Sequence, residues 1–174
     1  CNNRHFSEIC MPSDNNQPNQ QRKSLDRIDL KIHRELQLDA RLSNTELARR
    51  INLSPTPCNE RVKTLEKQGF IQSYQAQLDP KLLDLELLVF VEISLQRTSP
   101  DVFAEFSEAV RRLPDVLECH LVSGNFDYLL KARVADMKAY RELLGETLLM
   151  LPGVSESRTY VVMEEVKESQ ILPI

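Results

Sequence analysis

Hydroxyl, amide and cationic side chains are concentrated between Ser43 and Lys67, and their chemistry suits DNA. Such groups donate hydrogen bonds to phosphate oxygens and to base edges in the major groove. We expect Asn59 and Lys63 to face the bases, and other members of the set to hold a helix against the phosphates. The candidate DNA-contacting residues are Ser43, Asn44, Ser54, Thr56, Asn59, Arg61, Lys63, Thr64 and Lys67.

The alternative is that these side chains form an ordinary solvated helix face. The distribution of charge favours DNA. The chain has a net charge of −4, but residues 22–68 hold 11 Lys and Arg against 7 Asp and Glu, a net of +4. Residues 86–174 hold 9 against 15, a net of −6. Phosphate contact requires such a basic region, and an acidic remainder would be repelled by DNA.

Two short amphipathic helices are predicted to position these side chains. Ser43 is placed to cap the first, with Glu46 reaching back to the cap N–H. Ser54 is placed to cap the second, with Pro55 at its first helical position, where a missing N–H costs nothing. The link at residues 52–53 is short enough to force a sharp crossing, which predicts a helix-turn-helix.

Flanking elements complete this domain. Apolar residues at helical spacing predict a preceding helix over residues 25–39. Gly69 is expected to end the second helix of the motif, and residues 70–74 read as a short strand. A linker or wing strand is expected to follow.

The remaining sequence alternates strand-like and helix-like patterns in the order βαββαβ, which predicts a ferredoxin-like α+β sandwich. The predicted elements are strand 87–96, helix 101–113, strand 116–122, strand 127–134, helix 137–151 and strand 154–166. In the first strand, residues 89, 91, 93 and 95 would line one face and Leu88 and Phe90 the other. Helices cover only one face, so we expect a second subunit over the other; the alternative is the linker folding back.

Several classes of function lack support in the sequence. The four cysteines, at positions 1, 10, 58 and 119, lack zinc-site spacing, and Cys58 and Cys119 fall on apolar stripes as core residues. Strand alternation separates Cys119 from Glu118 and His120, and no nucleophile elbow or phosphate loop is present. We therefore expect no enzyme, no metal and no cofactor. No apolar run reaches membrane-spanning length and no signal peptide is recognisable, so a cytoplasmic, nucleoid-associated protein is expected.

Separate motifs in the same order resemble the Lrp/AsnC family, the feast/famine transcription regulators. The resemblance spans residues 25–168 and is carried by the stretches LDRID at 25–29, LSPTPC at 53–58, GFI at 69–71, LVSGNFDYLL at 121–130 and TYVVM at 159–163. It implies a winged helix-turn-helix domain followed by the ferredoxin-like βαββαβ sensing domain. It also implies binding of double-stranded DNA and a homodimer that assembles into larger oligomers, up to an octamer.

The family's effector loop follows a Gly-x-x-Asp pattern, here Gly124 to Asp127. A free amino acid needs N–H donors for its carboxylate and an acceptor for its ammonium, and this loop offers both. The resemblance implies a small apolar amino acid, leucine first, bound between subunits so that it changes assembly and DNA binding. The candidate effector residues are Ser123, Gly124, Asn125, Phe126, Asp127, Met137, Tyr160, Val161 and Val162. Taken without the resemblance, the sequence favours a plain hairpin turn at Gly124 and Asn125 with the other residues in the core.

The resulting domain prediction has five parts: a disordered tail at 1–24, a helix-turn-helix domain at 25–72, a linker or wing strand at 73–85, a sensing and oligomerisation domain at 86–168 and a C-terminal tail at 169–174. Met11 is a candidate start residue, which would make residues 1–10 upstream sequence. Two rival functions stay open, a stand-alone amino-acid sensor and an architectural protein that binds DNA without sequence preference.

Overall fold

The computed structural model describes residues 25–96 and 99–174. The predicted N-terminal tail and the proposed start at Met11 lie outside these residues. The chain divides into two compact units. The described part of the first is residues 25–75 together with Ile171–Ile174, and the second is Ala76–Gln170.

Three helices form the first unit: α1 (Arg27–Leu38), α2 (Asn44–Ile51) and α3 (Pro55–Lys67). Each buries one stripe, and the core joins Ile32 of α1, Leu47 and Ile51 of α2, and Cys58 and Leu65 of α3. Helix α1 begins two residues later than predicted, because Asp26 is its cap and forms a capping box with Asp29. The C-terminal tail belongs to this unit, where the Gln37 side chain accepts a hydrogen bond from the Leu172 N–H.

Helix α2 begins as predicted, whereas two details of capping are wrong. The Ser43 hydroxyl accepts from the Glu46 N–H at 3.2 Å. The Glu46 carboxylate does not return to the cap, because it pairs with Arg49 and Arg50 instead. Ser54 occupies the cap position of α3 but makes no side-chain cap bond. Prolines at the first and third positions of α3 leave few N–H groups for it to accept from.

Gly69 ends α3 as predicted, in the left-handed region at φ 78°. The Phe70 N–H donates to Leu65 O and the Gly69 N–H to Glu66 O, each at 3.0 Å. These two hydrogen bonds satisfy carbonyl groups in the last turn of α3. The predicted strand at 70–74 is wrong, since these residues pair with no described residue. Of the two alternatives for 73–85 the described chain has the linker and not the wing strand, because the segment holds only a 3-10 turn at Lys81–Leu83.

The second unit follows the predicted βαββαβ order: β1 (Leu87–Leu95), α4 (Pro100–Val110), β2 (Val116–Leu121), β3 (Tyr128–Val134), α5 (Met137–Glu142) and β4 (Val154–Val161). The strands form one antiparallel sheet in the order β2-β3-β1-β4. Val89, Val91 and Ile93 are fully buried with Phe106 of α4 and Leu148. This face of β1 is the core face that alternation predicts.

Two elements differ most from their predicted bounds, and α4 also ends three residues early, at Val110 rather than at 113. The α-helix that begins at Met137 ends at Glu142. It is followed by a π turn, Leu143–Thr147, and a 3-10 turn, Leu148–Met150. Gly145 lies in this π turn, and a glycine destabilises the interior of an α-helix. Strand β4 ends at Val161 rather than at 166. Gly153 precedes β4 at φ 75°, and a Cβ there would lie 2.5 Å from Val102 Cγ1.

The second face of the sheet is more charged than the apolar residues of β1 alone predicted. Leu88 pairs with Arg133, and Phe90 with Lys131. The segment after β4 covers part of this face, since Glu165 accepts from the buried Arg133 at 2.6 Å and Glu168 from Lys131 at 3.0 Å. The segment after β4 therefore folds back over one end of the face, where Arg133 also donates to Leu85 O at the end of the linker, at 3.3 Å.

Candidate DNA-binding and effector sites

Helix α3 presents one polar face to solvent in the first unit. Thr56, Lys63 and Lys67 are exposed, and Asn59 is half-buried. These four lie away from the buried Cys58 and Leu65, because successive residues of a helix turn by about 100°. Lys63 is bound only loosely, with its Nζ 3.4 Å from the exposed Glu60 carboxylate. This face offers cationic, amide and hydroxyl donors of the kind that major-groove recognition uses.

Other predicted DNA-contacting residues make contacts within the unit. The Asn44 amide of α2 donates to Pro55 O at 2.8 Å, and thereby joins the starts of the two helices of the motif. The Thr64 hydroxyl donates to Glu60 O at 2.7 Å. Ser43 caps α2. Ser54, at the start of α3, is exposed.

Arg61 has the most distinct environment in the predicted set. Its Nη1 lies 2.7 Å from Asp26 Oδ2 and 2.8 Å from Asp29 Oδ1, both contributed by the first turn of α1 and its cap. The pKa of Arg61 is raised above its ordinary value, first by the hydrogen bond to the Asp29 side chain and then by the one to Asp26. A groove of about 440 Å³ runs between α1 and α3 on this side, and Arg61 and Thr64 line it. Arg61 therefore faces α1.

The predicted effector loop joins β2 to β3 in the second unit as a series of bends. Its two ends are fixed, since the Val122 N–H donates to Asp127 O and the Asp127 N–H to Ile93 O, both at 2.9 Å. The N–H groups of Ser123, Gly124, Asn125 and Phe126 make no hydrogen bond to any residue that the structure describes. They are available to an anionic group.

Asp127 has a structural bond that the sequence did not predict. One carboxylate oxygen, Oδ2, accepts from the Leu95 N–H at 2.7 Å, where a register shift interrupts the pairing of β1 with β4. The other oxygen, Oδ1, makes no bond among the described residues. Asp127 thus fixes the loop to β1 and keeps one oxygen for a further donor.

The remaining predicted effector residues lie farther along the sheet in the same chain. Tyr128, next to the loop, pairs with Ile93, whereas Val134, three residues before Met137, pairs with Leu87 at the opposite end of β1. That is about 20 Å away at roughly 3.3 Å per residue. The stretch from Tyr160 to Val162 lies between, with Tyr160 opposite Phe90. One chain therefore does not bring Met137 to the loop.

A small cavity of about 90 Å³ beside the loop is lined by two predicted effector residues, Asn125 and Phe126, and by five residues that sequence reasoning missed. Its lining is Glu92, Ser94, Asn125, Phe126, Glu156, Ser157 and Arg158. Glu92 is opposite Arg158 in the sheet, and accepts from the Tyr160 hydroxyl at 2.9 Å. Alternation in the last strand, which places Glu156, Arg158 and Tyr160 on one face, is the sequence signal that could have found this cluster.

The described ranges, 25–96 and 99–174, also contain the two predicted core cysteines and the Glu118–His120 pair. Cys58 is fully buried, and burial raises the pKa of the half-buried Cys119 to about 11, so both thiols are core residues as predicted. Glu118 lies 3.1 Å from His120, on the face opposite Cys119. Within these ranges no three His, Cys, Asp or Glu side chains are grouped to hold a metal ion, and no helix has the length and apolarity to span a bilayer.

Comparison with protein families gives a match to each unit. Residues 25–72 match the winged helix-turn-helix DNA-binding model, and residues 88–172 match the Lrp/AsnC ligand binding domain. The leucine-responsive regulatory proteins of Klebsiella pneumoniae and Escherichia coli K12 are each 66% identical over 152 residues, which cover 87% of this chain and 93% of theirs.

Solved structures agree with both matches. A transcriptional regulator from Neisseria meningitidis in complex with L-methionine is similar with a TM-score of 0.82 and 39% identity, over 86% of this chain and 97% of that one. The feast or famine regulatory protein of Mycobacterium tuberculosis, also complexed with L-methionine, has a TM-score of 0.77 and 30% identity, over 84% and 97% of the two chains.

Proposed function

The chain belongs to the Lrp/AsnC family of transcription regulators, with a DNA-binding helix-turn-helix and an amino-acid-binding domain, and from this premise we propose how its own residues act. Helix α3 enters the major groove with Lys63 and Asn59 toward the bases. Thr56 and Lys67, on the same exposed face, contact phosphates or base edges. The observation that carries this assignment is the exposed polar face of α3 opposite its buried stripe.

Residues at the helix starts serve this contact in two ways. Ser54 is exposed at the N-terminus of α3, where helix N–H groups favour a phosphate. Ser43 and Asn44 stabilise the motif, because their side-chain bonds cap α2 and join it to α3. The Thr64 hydroxyl is bonded to Glu60 O of its own helix, so Thr64 serves DNA binding by shaping α3.

The effector is a small apolar amino acid, with leucine first and methionine next. Its carboxylate accepts from the unbonded N–H groups of residues 123–126, and its ammonium donates to the free Oδ1 of Asp127. Similarity to regulators named leucine-responsive or solved with L-methionine supports this choice. Because Met137 and the loop are far apart in one chain, Met137, with Tyr160, Val161 and Val162, reaches the site from a neighbouring subunit.

The active form is a homodimer that assembles further, up to an octamer. The incompleteness of the effector site in one chain supports this, as do half-exposed apolar side chains elsewhere on the sensing domain, such as Met137 and Tyr160. A site between subunits gives the effector leverage, since a ligand shifts an assembly only by its different affinities for the two states. The regulator has no catalytic role, and we place its action in the cytoplasm on the nucleoid because its target is DNA.

The test of the DNA-binding function is a comparison of two duplexes. One is selected by the wild-type chain from a random-sequence library, and the other is an unrelated duplex of equal length. We expect the selected duplex to bind at least about 1,000-fold more tightly at physiological salt, as specific regulators do. Equal affinities that fall alike with salt would instead identify an architectural protein. No binding to either would leave only a stand-alone sensor.

A further inference from the structure

The ion-pair cluster of Asp26, Asp29 and Arg61 joins α1 to α3 beside the buried stripe of α3, where the Arg61 side chain is 36% exposed. Arg61 is separated from its two partners by 35 and 32 residues, so the contact is tertiary. Lys63 follows Arg61 by two positions, which turns it about 160° around the helix axis. A phosphate contact from Arg61 is therefore not on the surface that Lys63 presents.

We propose that Arg61 is a positioning residue for DNA recognition, which fixes the orientation of α3 by its ion pairs with Asp26 and Asp29 and does not bind phosphate itself. The inference rests on the proposed DNA-binding function. Both carboxylates are held for this task. Asp26 accepts from the N–H groups of Ile28 and Asp29, and Asp29 accepts from the Asp26 N–H. The capping box of α1 thus holds one oxygen of each carboxylate, and the other oxygen of each faces Arg61.

Burial and charge support the same role. Asp29 has a side-chain exposure of 16%, the lowest of the three, so its pair with Arg61 is the least screened by water. The pKa of Asp26 is lowered, first by the Asp29 N–H and further by Arg61, which keeps it ionised beside the guanidinium. Two carboxylates beside one arginine also leave the cluster itself without net positive charge, which a phosphate contact would need.

The decisive variant is Asp29→Asn, because the two roles predict opposite signs. If Arg61 bound phosphate, removing a neighbouring negative charge would leave DNA affinity equal or higher. If Arg61 positions α3, the same change weakens binding of the selected duplex by about threefold or more, as expected for coupled contacts. The unrelated duplex, which is held by charge alone, loses little, so the ratio of the two affinities falls.

Four further variants complete the experiment on the full chain. Arg61→Gln is expected to lower the same ratio, and the double variant with Asp29→Asn to be no weaker than either single one. Arg61→Lys keeps the charge that both carboxylates need and is expected to restore most of the ratio. Arg112→Gln, which breaks an exposed pair with Glu108 at 2.9 Å just after α4 in the second unit, is the control for loss of an arginine ion pair and is expected to change nothing.

The outcomes separate this inference from the function on which it rests. Thermal unfolding of each variant checks that it is folded at the assay temperature. The positioning role is wrong if Asp29→Asn binds both duplexes as tightly as wild type. It is also wrong if Arg61→Gln weakens both duplexes equally and reduces the salt slope by about 0.9, the signature of one lost phosphate contact. Failure of the wild-type chain to prefer the selected duplex would instead refute the DNA-binding function.

Discussion

Side chains only two positions apart on α3 have opposite surroundings. Lys63 points to solvent, whereas Arg61 is bonded to two carboxylates of the neighbouring helix. A cation that is free to meet DNA loses only its hydration, whereas a cation that is already paired must first give up its partners. The two residues are thus expected to differ in what their removal does to DNA binding.

Lys63→Ala is expected to cost about 1 to 3 kcal/mol in binding of the selected duplex and to relax preference at one or two base positions. The reason is loss of a base-edge donor on the exposed face of α3. Asn59→Ala is the matched variant from the same face. Titration of both variants against the selected duplex and its single-base changes is the measurement. Unchanged affinity in both folded variants would contradict the assignment of this face to the bases.

The sequence predicts which side chains of the DNA-binding set are exposed, but not which residues they contact within the protein. The helical period separates Lys63 and Thr56 from Cys58 and Leu65 without any structure. It cannot reveal that Arg61 is paired, because the carboxylates lie more than 30 residues earlier in the chain. Asp127 illustrates the same limit, since its bond to the Leu95 N–H depends on a register shift between strands.

At the scale of elements, the two helices of the motif begin with the same residue type but differ in capping. The Ser43 hydroxyl accepts from the Glu46 N–H, whereas the Ser54 hydroxyl caps nothing. Ser43→Ala is therefore expected to destabilise the first unit by about 1 kcal/mol, and Ser54→Ala by clearly less. Urea unfolding of the two variants beside wild type measures the difference. Equal losses would show that Ser54 also caps its helix in solution.

The carboxylate of Glu46 gives α2 a defined response to acid. Hydrogen bonds from Arg49 and then Arg50 lower the pKa of Glu46 to about 2. A lowered folded-state pKa contributes stability above the ordinary value of 4.5, and this contribution is lost as pH falls toward about 2. We expect the stability difference between wild type and Glu46→Gln to be full at neutral pH and to shrink between these values. A difference that is independent of pH would refute the ion pairs.

Element order was predictable because the patterns are long and their turns are marked. The helix-turn-helix and the βαββαβ order follow from apolar periodicity with Gly69 and Gly153 at element ends. The predicted strand at 70–74 failed for a different reason. An extended segment becomes a strand only when another strand pairs with it, and local sequence does not say whether the chain supplies that partner.

At the scale of the whole molecule, a single chain does not assemble the proposed effector site. The loop at 123–127 carries free N–H groups, whereas Met137 follows the far end of β3. We therefore expect the chain to sediment as a dimer or larger at micromolar concentration. A single species of about 20.1 kDa, the mass of one chain, would contradict the assembly on which the site depends.

The central claim is that an amino acid bound at the loop controls DNA binding, and one titration tests it directly. The selected duplex is titrated with the wild-type chain with and without millimolar L-leucine, and then L-methionine. A shift in affinity of roughly 5- to 150-fold is expected for ordinary allosteric coupling. The matched variant is Asp127→Asn, whose amide oxygen can still accept from the Leu95 N–H but loses the charge for the ammonium. It is expected to bind DNA and to ignore the amino acids. No shift in wild type with any common amino acid, or an undiminished shift in Asp127→Asn, would contradict the account.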